Sequence, residues 1–417
     1  MRFFRQRLAT DVTPSRAVAL LSAFAASTGR PQPAALCGSW FGSSAVVAPF
    51  VSVSARAFPA GSLEVAAPPG CVGGGWFGYL SYDSADPSGR SSGVPASAWG
   101  WADHVLRWDS SGACWFESLA DEPGTSLSTV ESALSGAGSL SWTASPLERP
   151  SAATHEQAVK SCVASIEAGE LFQANVCTRF TGTFSGSPAA LFSEGVSRLS
   201  PRRAAFVAGS WGSVVSLSPE LFLSRHDRQV RSTPIKGTLP RRGAFDDGNA
   251  ELLRQSVKDV AENVMITDLV RNDLGRVCAV GSVVVPSLLR VEPAPGVWHL
   301  ASTVEGVLAE GVSDPALLDA TFPPGSVTGA PKIRALDEIA SLEPVARGVY
   351  TGAVGMLSPV AGLELNVAIR TFEISGSRIS LGVGGGITAD SDSAAEWQEC
   401  LHKAAPLEVL LATPPVV

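Results

Sequence analysis

Cysteine is sparse in this chain and poorly spaced for chemistry. The seven residues sit at 37, 71, 114, 162, 177, 278 and 400, an odd count with no pair at CxxC spacing. That argues against a disulfide framework or a thiolate zinc site and suits a reducing compartment. Long apolar runs are missing as well: none reaches the roughly 18–20 residues that a membrane-spanning helix needs. Three arginines fall in the first seven residues, and the apolar stretch after them is interrupted by Asp11, Pro14 and Arg16. This makes a poor secretion signal, so a cytoplasmic location is expected. Positive charge is in deficit, with a formal net charge of −8. Such a chain gains little from counterion release, so neither nucleic acid nor a membrane surface is an expected partner. There is no HExxH zinc motif, and of the five histidines only His299 lies in a dense motif, Trp298 to Thr303.

What the chain does have is core material. Hydrophobic residues make up 45% and charged residues 17% of 417, a globular composition with enough apolar surface for a large core. Residues 1–150 are rich in Gly, Ala, Ser and Trp with short apolar runs such as Ala45 to Ala48, which read as strands joined by turns. Asp121 to Pro150 is dominated by Ser, Gly, Pro and Ala and reads as a connecting segment. Beyond it, helical periodicity marks His155–Glu170, then Glu251–Leu269 with an apolar stripe through Leu253, Val257, Val260, Ala261 and Val264. A third helix, Lys332–Leu342, should turn Ile333, Leu336, Ile339 and Leu342 inward. Alternation predicts a strand with Leu363, Leu365, Val367 and Ile369 on one face and Asn366, Ala368 and Arg370 on the other. Ile379, Leu381 and Val383 predict another strand, followed by Gly384, Gly385 and Gly386. Without regular βαβ alternation, the class expected is α+β.

Four features could carry chemistry. Asp259 and Glu262 are three apart on one predicted helix, as are Glu396 and Glu399 on another. Residues at i and i+3 share a helix face, so two such pairs could form an oxygen-rich site for a hard cation such as Mg²⁺. From spacing alone, a solvated acidic face is the simpler reading. Lys403, four residues after Glu399, could equally be a surface ion-pair partner worth about 0.3–0.5 kcal/mol. Lys236 is bracketed in Pro234-Ile235-Lys236-Gly237-Thr238. A lysine is a nucleophile only as the neutral amine, which needs burial or nearby positive charge; on its own this one also fits an exposed turn. The glycine run lets backbone N–H groups approach an anion but fits neither a Walker loop nor a dinucleotide fingerprint. Arg370 has the fork geometry for a carboxylate.

Taken in order, these segments resemble the chorismate-binding enzymes: anthranilate synthase large subunits, aminodeoxychorismate synthase component I, and the isochorismate and salicylate synthases. The runs that carry the resemblance are Gly169–Asn175, Ser218-Pro219-Glu220, Ser232–Thr238, Asp259–Asn263, Asp268–Val277, His299–Thr303, Phe322–Lys332, Ile369-Arg370-Thr371, Gly384–Ile387 and Ala389–Glu399. They cover most of 155–405, whereas the N-terminal part matches weakly, best at Gly78–Asp83. The resemblance implies one large α+β unit, two stacked sheets with helices around them. Residues 1–150 would be its N-terminal part and 151–417 its chorismate-binding region, within one compact unit.

The resemblance also implies roles. Glu262 and Glu399 would ligate Mg²⁺ directly, with Asp259 and Glu396 acting mainly through water. Arg370, Tyr350 and the backbone of Gly384, Gly385 and Gly386 would hold carboxylates. Glu220 would protonate the departing 4-hydroxyl, and His299, Thr328 and Lys403 would line the pocket. Where the water-adding branches carry a lysine base, this chain has Gln173. Where anthranilate synthases carry Ala, it has Lys236, as the C4-aminating branch does. The implied reaction is amination of chorismate to 4-amino-4-deoxychorismate through a Lys236 adduct at C2, a step toward 4-aminobenzoate. The matched segments include neither a glutaminase nor a lyase, so a separate glutamine amidotransferase and a downstream aminodeoxychorismate lyase are expected. The alternative is an anthranilate synthase large subunit. The Leu-Leu-Glu-Ser run typical of its tryptophan control is missing, the nearest region being Leu36 to Trp40. A non-catalytic relative is argued against by Lys236 and the four intact acids.

Overall fold

A computed structural model of the chain describes residues 2–415 except 60–64, 137, 139 and 242. Among the described residues, two sheets of antiparallel strand pairs, one of 12 strands and one of 10, form the body of the α+β fold. Short apolar runs make the central strands because both faces of these are covered, which removes the usual polar alternation. In Ala34–Trp40, Ala35 and Cys37 face a core shared with Leu21, Phe192 and Leu410 of three covering helices. Ala34 and Leu36 face Phe77, Tyr79 and Met356 of the second sheet. A third core lies between the smaller sheet and Ile266 and Leu274 of the Val257–Gly275 helix. Both sheets draw strands from either side of residue 150.

The N-terminal strands are accompanied by helices that the sequence reading lacked. Pro14 opens a helix, Pro14–Thr28, rather than merely breaking an apolar stretch. The Thr13 side chain caps it by accepting from the Arg16 N–H, and Gly29 closes it at φ 68. Both are ordinary start and stop signals. The expected connecting segment 121–150 contains a helix, Gly124–Leu134, that buries Val130, Ala133 and Leu134. It also contains the strand Trp142–Ala144, paired with Phe184–Gly186.

The second half follows its periodicity with several corrections. Glu251–Leu269 is not one helix. Asn249–Gln255 ends at Ser256 (ψ 106), whose side chain accepts from the Asp259 N–H and caps Val257–Gly275. The inward face of that second helix is not the expected stripe: Val257 and Val264 are exposed, while Glu262, Asn263, Ile266, Thr267, Val270, Asp273 and Leu274 are buried. Polar residues can occupy a buried face when hydrogen-bonded. Asn263 donates to the Leu300 carbonyl (3.0 Å) and accepts from Ser302 (2.5 Å). Lys332–Leu342 has the expected bounds and buries Ile339, but Ile333 points to solvent. The strand Gly362–Val367 stops before Arg370. The chain there crosses from the smaller sheet to the larger, and Arg370 is held at φ 51. Gly384, Gly385 and Gly386 form no turn; they are the end of the strand Arg378–Ile387, paired with Cys177, Val176 and Asn175.

Candidate active site

The glycine strand is the floor of the site because every side-chain position along it is already occupied. A Cβ on Gly386 would fall within contact distance of the Gln173 Nε2, 2.9 Å from Lys236 Nζ and 3.1 Å from Glu262 Oε2. One on Gly385 would lie 3.1 Å from Glu396 Oε2 and 3.7 Å from Glu399 Oε1. Four segments far apart in sequence therefore converge on two glycines. They come together where one end of the larger sheet meets the edge strand Ile235–Pro240 of the smaller one. The Val257–Gly275 and Ser393–Ala412 helices pack over that meeting point.

Lys236 is delivered by an irregularity. Ile235 pairs with Ala301 and Thr238 with His299, and the register shifts between them. Gly237 takes φ +92, and a Cβ there would meet Asp259 Cβ at 3.0 Å. The glycine is thus required both by its left-handed backbone and by contact with the acidic helix. The Lys236 side chain is only 10% exposed, with Nζ 3.6 Å from Glu262 Oε2. Gln173 is buried and its Oε1 has no hydrogen-bond partner. Glu220 is buried next door, with Oε1 accepting from the Ile235 N–H at 3.3 Å. Burial pushes its carboxyl up to about 7, against the opposing pull of Ser326, the Ile235 N–H and Lys236. It can therefore hold a proton near neutral pH and release it.

The four acids lie on facing helices, but not as a solvated face. Glu262 and Glu396 are buried, while Glu399 is half-exposed and paired with Lys403 at 2.7 Å. Burial raises the Glu262 carboxyl above its ordinary range, with Lys236 and Lys258 pulling it back. Asp259 is tied to the Ser256 hydroxyl at 2.6 Å. Lys258 lies between the pairs, 3.0 Å from Glu396 Oε1 and 4.0 Å from Glu262 Oε1. Among the described residues, no three acid, histidine or cysteine side chains converge closely enough to hold an ion. The donors nonetheless fit a hard cation in their chemistry: all are carboxylates, and the buried Glu396 Oε2 has no hydrogen-bond partner. Closing on one ion would require Glu262 and Glu396 to turn away from Lys258.

Arg370 is crowded by protein and, among the described residues, no carboxylate of the chain pairs with it; burial alone pulls its pKa below the ordinary value for arginine. A desolvated guanidinium without an acceptor favours an incoming anion. His299 is buried beside it, with Nδ1 2.9 Å from the Thr238 hydroxyl and Nε2 unpartnered. Burial, helped by the charges of Arg370 and Arg202, lowers the ring to about 3, so it is neutral. Tyr350 lies further along the glycine strand. A Cβ on Gly382 would overlap its ring. No hydrogen bond or cation–π contact joins Tyr350 to Arg370 among the described residues. The Thr328 hydroxyl turns inward to the Pro324 carbonyl at 3.0 Å. Lys403 donates to the Gly384 carbonyl at 2.8 Å and so braces the floor from outside. The sequence reading missed Lys258 and Ser326. Lys258 is four residues before Glu262 on one helix, a spacing that could have flagged it; nothing local marks Ser326.

A family model described as chorismate binding enzyme matches residues 44–408. Aminodeoxychorismate synthase component 1 of Escherichia coli K12 is 42% identical over 240 residues, covering 57% of this chain and 53% of that protein. The chain therefore spans about half the length of that curated relative. An anthranilate synthase component I-like protein of Synechocystis is 34% identical over 358 residues, 80% of this chain and 72% of that one. The crystal structure of anthranilate synthase component I from Streptococcus pneumoniae superposes with a TM-score of 0.74 at 28% identity, over 84% of this chain and 83% of the other.

Proposed function

The chain belongs to the chorismate-binding enzymes, and from that premise we propose that it aminates chorismate at C4 to give 4-amino-4-deoxychorismate. The observation that carries this reading is Lys236: a largely buried amine sharing the Gly386 floor with Gln173 and Glu262, beside a carboxyl that can hold a proton near pH 7. Lys236 attacks C2 as the neutral amine, and the 4-hydroxyl leaves as water with the proton from Glu220. Ammonia then adds at C4, the ring electrons return, and the lysine leaves C2. One proton is lost from each attacking nitrogen; one restores Glu220 and the other returns to the lysine as it leaves, so the balance is chorismate and ammonia in, aminated product and water out. Two easier displacements replace one difficult step.

Gln173 supports nitrogen over water as the nucleophile, since a carboxamide cannot serve as the base that water addition needs. Arg370, with neutral His299 next to it, offers a carboxylate clamp. Mg²⁺ held directly by Glu262 and Glu399, with Asp259 and Glu396 acting mainly through water, would supply positive charge for the ring carboxylate. Ammonia would come from a separate glutamine amidotransferase, in keeping with the "component 1" in the name of the Escherichia coli relative, and a lyase would take the product on to 4-aminobenzoate. The anthranilate synthase names among the relatives favour the second reading, amination at C2 with pyruvate loss. Lys236 separates the two, because amination at C2 needs that carbon free. Lys236→Ala should cut C4 amination by more than about 10²-fold with folding intact; an unchanged rate removes the nucleophile from the scheme.

A further inference from the structure

We propose that Lys258 is an internal counter-ion of the acid cluster: its ammonium fills the space between the two acidic helices until a divalent cation takes its place. The inference rests on the reading of Glu262, Glu396, Glu399 and Asp259 as the residues that hold Mg²⁺.

Among the described residues, three lysines lie against the acid cluster, and each is placed differently. Lys236 reaches Glu262 from its strand, at 3.6 Å. Lys403 pairs with Glu399 of its own helix at 2.7 Å and also donates to the Gly384 carbonyl. Lys258 is the one of the three that spans both helices, 3.0 Å from Glu396 Oε1 and 4.0 Å from Glu262 Oε1. Its own helix gives no reason for a lysine there. Position 258 lies in the first turn of Val257–Gly275, two residues after the Ser256 cap, where the positive end of the helix dipole disfavours a cation. The two carboxylates offset that.

The size of the ammonium accounts for the spacing of the acids. A charged N–H group rests about 2.7–2.9 Å from a carboxylate oxygen, whereas Mg²⁺ draws its oxygens to about 2.0–2.1 Å. Acids spaced around Lys258 stand too far apart for one ion, and among the described residues no three converge on one. The ammonium is also free to leave. The Lys258 side chain is 45% exposed, against 9% for Glu262 and 4% for Glu396. Glu396 stays anchored when Lys258 goes, because the Ser391 hydroxyl donates to the same Oε1 at 2.7 Å and itself accepts from the Thr388 N–H at 3.1 Å. The partnerless Glu396 Oε2 lies over the glycine floor. Cation binding is thus an exchange of one positive charge for another. Affinity for Mg²⁺ in the free protein is lowered to the extent that the ammonium occupies the site.

The test uses the full chain without chorismate, so turnover plays no part. Mg²⁺ is titrated calorimetrically into wild type and Lys258→Gln. With the ammonium in place about nine-tenths of the time, glutamine should tighten the Kd for Mg²⁺ about tenfold. In wild type, acetylation of Lys258 by acetic anhydride is mapped by mass spectrometry against the exposed Lys160. It should rise as Mg²⁺ saturates and follow the calorimetric curve. Labelling that does not rise at saturating Mg²⁺ overturns the inference while the metal reading stands, and so does a folded Lys258→Gln protein that binds the ion no more tightly than wild type. Should Lys258→Gln fail to fold, the wild-type labelling decides alone. If wild type and variant both fail to bind Mg²⁺, the metal reading fails and takes the inference with it.

Discussion

Replacing Glu220 by glutamine should change how stability depends on pH, and the size follows from the site. The native carboxyl is pushed by burial from 4.5 to about 7. Below about pH 4.5 the native and unfolded chains both carry the proton, and Glu220 makes no difference. Between there and about pH 7 the native state keeps a proton that the unfolded chain has lost, so raising the pH favours unfolding. At about 1.4 kcal/mol per pH unit, the cost of the buried charge reaches roughly 3 kcal/mol above pH 7 and persists there. Glutamine is neutral throughout and escapes it. Other titrating groups are common to both proteins and cancel in the difference. Thermal unfolding of wild type and Glu220→Gln at pH 5 and pH 8 should therefore show the glutamine protein gaining on wild type by a few degrees at the higher pH. A gap that is the same at both pH values would mean that Glu220 is ionised across the range, and the proton-donor role would lose its basis.

Three substitutions probe the floor and the clamp. In Gly386→Ala the new methyl meets only the far ends of Gln173, Lys236 and Glu262. The fold should survive at a cost of about 1 kcal/mol while turnover falls about 10²-fold, as unfolding and product assays will register. Gly384→Ala instead meets the Val176 carbonyl at 2.6 Å, so it should lower the melting temperature. Arg370→Gly should raise the KM for chorismate about tenfold or more without lowering the melting temperature, because it also releases a left-handed backbone costing about 1–2 kcal/mol. A loss of stability with unchanged KM would assign Arg370 a structural role.

The order of chemical segments was legible because each is local: Pro-Ile-Lys-Gly-Thr, the paired acids and the glycine run announce themselves within a few residues. So were Lys332–Leu342 and the alternating strands. The inward face of Val257–Gly275 was not, because apolar periodicity presumes an apolar core. This face is buried on partners such as the Leu300 carbonyl and Ser302, which lie some forty residues away. Arg370 could not be placed for a related reason: alternation continues the strand through it, while the crossover between sheets at φ 51 is a tertiary decision. The helix Pro14–Thr28 is signalled locally by Thr13, Pro14 and Gly29, since a proline in the first turn starts a helix as readily as it breaks an apolar stretch.

The central claim is where nitrogen enters the ring. Chorismate incubated with the protein, ammonium and Mg²⁺ should give a product with the mass of 4-amino-4-deoxychorismate, becoming 4-aminobenzoate only after an aminodeoxychorismate lyase is added. Fluorescent anthranilate appearing directly, without the lyase, would contradict the account and assign amination to C2.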